Sequence, residues 1–289
     1  MKTSHLSDHL DYLKLEYIQR EHRALAETAS REGWAHGDYL DRLVEGEVLE
    51  RGRRALERRL RLARFPYRKT LEQYQWTWPK KINQAEIRQL FRLEFLQSHT
   101  NVVFVGPVGL GKTHLAVALG QAACEAGHEV LFVPAVTMIN DLVAAQTQQR
   151  LKQQLRKYAG VGVLILDEVG YLPIDKAGAD LMFQVLAARY ERASKILTTN
   201  RAYKNWPEIF NNDATLTAAL LDRLVHHVST IVIEGRSYRT REQIAEPERR
   251  GIQWNDDAGA MPRRRFSLEG GLWFSNRQFQ VCFTPALTA

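Results

Sequence analysis

An eight-residue stretch decides the fold: Gly106-Pro107-Val108-Gly109-Leu110-Gly111-Lys112-Thr113. It fits the pattern G-x-x-x-x-G-K-[ST] and lies between a predicted strand and a predicted helix, which is the context that this motif requires. Its glycines let backbone amides curl around phosphate oxygens, and the next helix presents its positive N-terminal end to the same anion. The stretch therefore predicts a phosphate-binding P-loop.

The motif assigns a role to each of its polar side chains. Lys112 is expected to reach the β and γ phosphates of ATP, and Thr113 to bind Mg²⁺ through its hydroxyl. The remaining loop residues and the first residues of the helix should surround the nucleotide. The predicted cofactor-binding set is Gly106, Pro107, Val108, Gly109, Leu110, Gly111, Lys112, Thr113 and His114, together with the more distant Arg239.

A pair of acids supplies the second half of such a site. Asp167 and Glu168 follow the apolar run Val163 to Leu166, which reads as a buried strand. Asp167 is predicted to hold Mg²⁺ directly or through water, and Glu168 to polarise the attacking water as general base. Capping of the following helix is the alternative use of two adjacent carboxylates.

Three further polar residues are candidates for the phosphate region. Asn200 ends a predicted strand, where an amide can orient water against the γ phosphate. Arg223 and Arg239 are candidates for stabilising negative charge during phosphoryl transfer, although ordinary ion pairs explain both arginines equally well. Their positions alone leave this choice open.

Metal ligation outside the P-loop has no sequence signature. Cys124 and Cys282 lie far apart, so reduced thiols and no structural zinc are expected. His226 and His227 are adjacent and are expected to point to different faces of a helix, so they receive no role.

Around the motif, short apolar runs alternate with helical stretches. This alternation predicts an α/β fold: a parallel P-loop sheet sandwiched by helices. The predicted strands are 102–105, 130–133, 161–166, 195–199 and 230–233, and the predicted helices are 85–97, 114–125, 177–192 and 216–226.

The chain before this region reads differently. Residues 5–64 contain no proline and are rich in Leu, Glu and Arg, which favours helix throughout. One helix is expected from about residue 6 to 17 and a second at 48–64. The predicted organisation is a small all-helical N-terminal domain (1–65), a linker (66–85), the ATPase domain (86–245) and an irregular tail (246–289).

Two features of the N-terminal half can each be interpreted in two ways. Arg51, Arg54, Arg58 and Arg61 form one helix face, which is either a solvated surface balanced by acids or a contact to nucleic acid phosphates. The aromatic residues of the linker either belong to the core or pack against the bound base. The net charge of +7 permits a polyanionic partner without requiring one.

No run approaches the roughly 18 apolar residues that span a bilayer, and the first residues do not resemble a secretory signal. We therefore expect a cytoplasmic protein without a membrane partner.

Taken together, the motifs resemble the IstB-like ATPases, relatives of the DnaC-type helicase loaders within the AAA+ superfamily. The resemblance covers roughly residues 5–245, and its most specific part is the continuation Val169-Gly170-Tyr171-Leu172-Pro173 after the acid pair. It implies an AAA+ fold, Mg²⁺-dependent ATP hydrolysis and a homo-oligomer, either a ring or a helical filament.

The resemblance also implies residue roles and partners. Asn200 would be the sensor 1 residue, Arg223 an arginine finger acting on a neighbouring subunit's ATP, and Arg239 a sensor 2 candidate. Family members bind duplex target DNA with ATP and direct a partner transposase to it in insertion-sequence transposition. A DnaC-type replicative helicase loader is the main alternative, and a nucleotide-binding scaffold with little hydrolysis is the third reading.

Overall fold

The computed structural model describes residues 5–238. Its centre is one sheet of five parallel strands in the order β2-β3-β4-β1-β5. The strands are β1 (Asn101–Val105), β2 (Val130–Pro134), β3 (Val163–Val169), β4 (Lys195–Thr199) and β5 (Val228–Val232). Because β4 lies between β1 and β3, the loops after these three strands meet at one edge of the sheet.

Helices connect the strands and cover both faces of the sheet. One apolar core lies between the sheet and the helices α7 to α10, and a second lies between the opposite face and α3, α4 and α6. The helices are α1 (His5–Tyr12), α2 (Glu16–Glu32), α3 (His36–Leu62), α4 (Gln84–Leu90), α5 (Glu94–Gln97), α6 (Lys112–Glu125), α7 (Ala135–Thr147), α8 (Leu151–Gly160), α9 (Lys176–Ala188) and α10 (Ala214–Val225). The predicted α/β class, with a helix-sandwiched parallel sheet, is confirmed.

The N-terminal helices form a hairpin held by one buried acid. Glu47 is only 4% exposed, and its carboxylate accepts the backbone N–H groups of Tyr17 and Ile18 at 2.8 and 3.2 Å. It thereby satisfies the first amides of α2, which has no side-chain N-cap of its own. Arg51 and Arg54 add ion pairs to the same carboxylate, so this half of the predicted arginine face is engaged in intramolecular pairs.

The end of α3 joins the core around the sheet. Leu56 and Leu60 pack against the core beside α6, and Arg59 Nε donates to the carbonyl oxygen of Cys124 at 2.8 Å. The backbone N–H of Phe132 in β2 donates to the carbonyl oxygen of Ala63 at 2.8 Å. The final turns of α3 therefore attach the N-terminal helices to the sheet, while the domain boundaries at residues 65, 85 and 245 stay a prediction.

Local backbone geometry explains where the predicted helices differ from the observed ones. Lys14 and Leu93 adopt left-handed conformations (φ 55° and 61°), which end one helix and start another within segments predicted as single helices. Helices α7 and α8 were not predicted. They lie between strands β2 and β3, and their residues facing the core include Met138 and Leu142 of α7 and Tyr158 of α8.

No helix in residues 5–238 is long and apolar enough to cross a membrane. The predicted tail and Arg239 lie outside the described residues.

Candidate nucleotide site

The P-loop has the left-handed backbone conformations that its glycines permit. Gly109 and Gly111 both have φ of 81°, a left-handed conformation that L side chains rarely adopt. A Cβ at Gly111 would also lie 2.6 Å from Cε2 of Tyr74. These two positions therefore require glycine for both backbone conformation and space, and α6 begins immediately afterwards at Lys112.

The lysine and threonine of the loop lie where a phosphate and its metal would be held. The Lys112 ammonium donates to the carbonyl oxygen of Pro107 at 2.8 Å, so its tip is turned back over the loop. The Thr113 hydroxyl donates to Asp167 at 2.9 and 3.2 Å from its two carboxylate oxygens. A hydroxyl and a carboxylate in contact are a suitable ligand pair for a hard divalent cation such as Mg²⁺.

A buried threonine that the sequence did not single out fixes the acid pair. Thr198 is 1% exposed, and its hydroxyl donates to Oδ1 of Asp167 at 2.6 Å. The Thr198 hydroxyl oxygen in turn accepts the backbone N–H of Glu168 at 2.9 Å. Thr198 therefore orients both members of the pair. Its position two residues before Asn200, on the strand beside β3, was the available signal.

Glu168 occupies an unusual backbone conformation. Its φ is 58°, and the pairing register of β3 with β4 shifts between Leu166 and Val169. Left-handed geometry at a non-glycine residue costs on the order of 1 kcal/mol, and such strain clusters at functional sites. The irregularity leaves the Glu168 side chain exposed at the cavity instead of buried in the sheet.

One cavity of about 550 Å³ collects these groups. Its walls include Lys112 and Thr113 from the P-loop, Glu168 from β3 and Asn200, which follows β4. Five more predicted site residues line the same cavity, which makes nine: Val108, Gly109, Leu110, Gly111 and His114. Asp167 is bonded to Thr113 at the same edge of the sheet. A volume of this size suits a nucleotide.

Aromatic residues from the segment before β1 form another wall. Tyr74 is 6% exposed and packs in the core, and its hydroxyl donates to the carbonyl oxygen of Leu110 at 2.9 Å. Burial raises the pKa of Tyr74 to about 12, so it stays a neutral donor. The Tyr74 ring meets His114 edge-on with centroids 5.4 Å apart. Tyr74 is therefore a core residue that also lines the cavity, while packing of these aromatics against a base stays a prediction.

His114 faces this wall instead of the phosphate loop. Its Nε2 lies 2.8 Å from the carbonyl oxygen of Thr70, which can only accept, so this nitrogen carries a proton. Burial lowers the pKa of His114, and the neutral ring is favoured. His114 lines the cavity, with one nitrogen bonded to the linker, and its contact with a nucleotide stays a prediction.

The segment after β5 closes over the P-loop. The backbone N–H of Tyr238 donates to the carbonyl oxygen of Gly109 at 2.9 Å, and the Trp78 indole N–H donates to the carbonyl oxygen of Arg236 at 2.9 Å. The rings of Trp78 and Tyr238 meet edge-on at 5.4 Å. Both rings line the cavity, so the linker and this segment supply a wall suited to a base. Arg239, the next residue, is outside the described range.

Arg223 lies away from this cavity. It belongs to α10, and its guanidinium stacks over the Phe183 ring of α9 at 4.5 Å. One terminal nitrogen, Nη1, is buried without a hydrogen-bond partner among residues 5–238. The predicted arginine finger therefore does not line the cavity of its own chain.

The expectation that His226 and His227 point apart was wrong. Helix α10 ends at Val225, and the two rings lie with centroids 4.2 Å apart. The rule for helix faces does not apply because the chain leaves the helix at this point to enter β5.

A sequence profile described as IstB-like ATP binding protein matches residues 8–245. The chain belongs to this family. It is 42% identical over 234 residues to an ATP-binding protein of insertion sequence IS21 from Pseudomonas aeruginosa, covering 81% of this chain and 88% of that one. It is 37% identical to the ATP-binding protein of insertion sequence IS5376 from Geobacillus stearothermophilus, covering 83% and 96% of the two chains.

The fold of this IstB-like protein is also found among replication proteins. The replication initiator DnaA bound to AMPPCP and single-stranded DNA matches with a TM-score of 0.50 and 18% identity. The match covers 67% of this chain and 58% of that one. At this identity the likeness concerns the fold, which is the AAA+ fold.

Proposed function

We propose that this IstB-like protein hydrolyses ATP with Mg²⁺ and acts as a helper of insertion-sequence transposition. In this role it oligomerises on duplex target DNA and recruits or stimulates a partner transposase, and hydrolysis controls its release. One observation carries the enzymatic part: Lys112, Thr113, Glu168 and Asn200 line one cavity at the carboxyl edge of β1, β3 and β4, beside Asp167.

Each residue has a chemical task in this proposal. The backbone amides of the P-loop and the Lys112 ammonium would hold the phosphates. Thr113 and Asp167 would hold Mg²⁺, which would supply positive charge to offset that of the phosphates. Glu168 takes a proton from the attacking water, and Asn200 orients that water. Thr198 keeps the Asp167 carboxylate aimed at the metal position.

The location of Arg223 supports an oligomeric active form. It lies in the last turn of α10, which leads into the first residue of β5, whereas the nucleotide cavity lies at the opposite ends of the strands. A five-residue strand is about 17 Å long, so Arg223 is too far from its own nucleotide to contact it. An arginine finger at this position acts on the nucleotide of a neighbouring subunit. Arg239 remains a proposed second nucleotide contact.

The N-terminal helices carry the proposed DNA contact. Arg58 and Arg61 are exposed and have no hydrogen bond or ion pair within the described part of the chain, whereas Arg53 is held by Glu50 and Glu57 at 2.7 and 2.6 Å. Exposed guanidinium groups on one helix face suit the phosphates of duplex DNA, and binding should be salt-sensitive.

Steady-state ATP hydrolysis tests the proposed enzymatic role. The purified protein is assayed alone, with long duplex DNA and with single-stranded DNA at one fixed salt concentration. Stimulation mainly by duplex is expected. Stimulation by single strands alone would favour a helicase loader, and no hydrolysis under any condition, including added transposase, would favour a nucleotide-binding scaffold.

Glu168→Gln tests the link between hydrolysis and release. The variant should bind ATP normally, lose at least about 100-fold in hydrolysis and dissociate more slowly from duplex DNA. Glu125→Gln is the matched control, because Glu125 is exposed at the far end of α6. Release of the Glu168 variant at the wild-type rate would contradict the proposed role of hydrolysis.

Arg58→Gln combined with Arg61→Gln tests the DNA surface. The pair should reduce the slope of log affinity against log salt by about 2, since each lost phosphate contact contributes about 0.9. Arg53→Gln should leave the slope unchanged, because this guanidinium is already paired with acids. Equal slopes for the double variant and the wild type would place the DNA contact elsewhere.

A further inference from the structure

Three potential metal ligands lie close together at the amino-terminal ends of the strands, opposite the nucleotide cavity. Glu191 lies in the turn before β4, and His226 and His227 lie between α10 and β5. One ligand atom from each side chain lies within 4.8 Å of the other two. Both connections precede strands, so the cluster is about one strand length, roughly 17 Å, from the P-loop edge.

The distances are close to those of a coordinated ion. Nδ1 of His226 and Nε2 of His227 lie 3.7 and 3.8 Å from Oε1 of Glu191. Zinc bonds of about 2.0 to 2.2 Å in a tetrahedron place neighbouring ligand atoms roughly 3.4 Å apart. Small rotations of three side chains that are each about half exposed are sufficient to reach this geometry.

The backbone that carries these ligands is held by buried hydrogen bonds. Asn101, 3% exposed, donates from its backbone N–H to the carbonyl oxygen of His227 at 2.8 Å, and its side chain donates to the carbonyl oxygen of Leu224 at 2.9 Å. The Asn101 side-chain oxygen accepts the N–H of Lys195 at 3.3 Å. One residue thus ties together the connections that carry the histidines and the acid.

Two further features favour a defined arrangement. Glu191 has a left-handed backbone (φ 54°), and the preceding turn is anchored by Arg189, whose buried guanidinium donates to the carbonyl oxygen of Ser194 at 2.8 Å. The Tyr190 hydroxyl lies 3.1 Å from Nδ1 of His226, so this nitrogen already has a polar partner that a metal would replace. Preorganised backbones reduce the cost of bringing ligands together.

We propose that Glu191, His226 and His227 form a binding site for a divalent transition-metal ion of the zinc type. Two imidazoles and one carboxylate are the ligand set that suits zinc, whereas Mg²⁺ prefers oxygen ligands and keeps much of its water. The three protein ligands leave a fourth position for water. The site clips the turn before β4 to the end of α10 and is independent of nucleotide.

Zinc titration of the full chain, stripped with a chelator and free of nucleotide, tests this site. In competition with a chromophoric zinc indicator, we expect one ion at this site per chain. Glu191→Gln and His227→Ala should each lower the affinity by at least about tenfold, since lost second-shell partners alone cost that much. Zinc should raise the Tm of the wild type more than that of either variant.

Matched variants distinguish this site from other histidines. His128 is exposed in the turn before β2, and His9 stacks on His5 in α1 with ring centroids 6.4 Å apart. His128→Ala and His9→Ala should retain wild-type zinc affinity, and Tyr190→Phe should bind zinc at least as tightly as the wild type. Circular dichroism verifies that each variant is folded.

Two results would overturn the assignment. If the folded Glu191→Gln and His227→Ala variants bound zinc with wild-type affinity, the cluster would consist of ordinary surface ion pairs and would not be the zinc site. Loss of binding in His9→Ala instead would place the ion on α1.

Discussion

Replacing Thr198 with valine tests how the acid pair is held. Valine keeps the shape and β-branching of threonine but removes the hydroxyl, which donates to Asp167 at 2.6 Å and accepts the Glu168 N–H at 2.9 Å. A hydrogen bond to a charged group contributes about 1.5 to 3 kcal/mol, and an unsatisfied N–H costs about 1 to 3 kcal/mol. Partial access of water at the cavity reduces the second figure, so we expect a loss of about 3 kcal/mol in the free energy of unfolding.

The same substitution should affect the proposed metal site. With Asp167 no longer oriented by Thr198, the Mg²⁺ concentration that half-saturates ATP hydrolysis should rise about 10- to 100-fold. Urea unfolding gives the stability, and hydrolysis at varied Mg²⁺ with saturating ATP gives the second quantity.

A second buried threonine provides the control. Thr217 is 2% exposed, and its hydroxyl donates to the carbonyl oxygen of Asp213 at 2.6 Å, remote from the acid pair. Thr217→Val should cost about 1 kcal/mol and leave the Mg²⁺ dependence unchanged. If Thr198→Val matched this control in both stability and Mg²⁺ dependence, the proposed orienting role of Thr198 would be refuted.

Three other substitutions probe the backbone, a buried charge and the proposed finger. Gly111→Ala should abolish ATP binding, and because Gly111 has φ of 81° it should also lower the free energy of unfolding by about 1 to 2 kcal/mol. Gly52→Ala, at an open position inside α3, should instead raise the free energy of unfolding by up to about 1 kcal/mol. Urea unfolding measures the stability of both variants. Burial lowers the pKa of Lys195 from 10.5 to about 8, so the unfolded chain binds more protons between these values and wild-type stability should rise with pH there. Lys195→Met should remove that rise and stabilise the protein at pH 7 by up to about 3 kcal/mol; an unchanged pH dependence would contradict the assignment. Arg223→Ala should bind ATP without hydrolysing it, and mixing it with Lys112→Ala subunits should restore hydrolysis; absence of rescue would exclude a finger acting between subunits.

Much of the parallel sheet and its P-loop could be predicted because these elements are short and locally specified. The P-loop glycines encode their own backbone conformation, and each apolar run between helices became a strand. The strand β4 was predicted with its observed bounds, Lys195 to Thr199. Local signals therefore sufficed wherever a single segment determines its own geometry.

Features that depend on two distant segments were harder to predict. The burial of Glu47 depends on the first turn of α2 lying against α3, which no local pattern records. The approach of His226 and His227 to Glu191 depends on the place where α10 ends and on the left-handed turn before β4. In both cases the missing information was the relative position of two elements.

The strand β4 links the two motifs that the sequence presents as separate. The carbonyl oxygen of Thr199 accepts the N–H of Gly106 at 3.2 Å, at the start of the P-loop, while Thr198 on the preceding position holds Asp167 and the backbone of Glu168. Asn200 then continues from the same strand into the cavity. Three consecutive residues thus contact the phosphate loop, the acid pair and the proposed water position. Because these contacts share one strand, a displacement of β4 would change the phosphate loop and the Asp167 carboxylate together. We therefore expect β4 to be the element that couples nucleotide state to the rest of the fold.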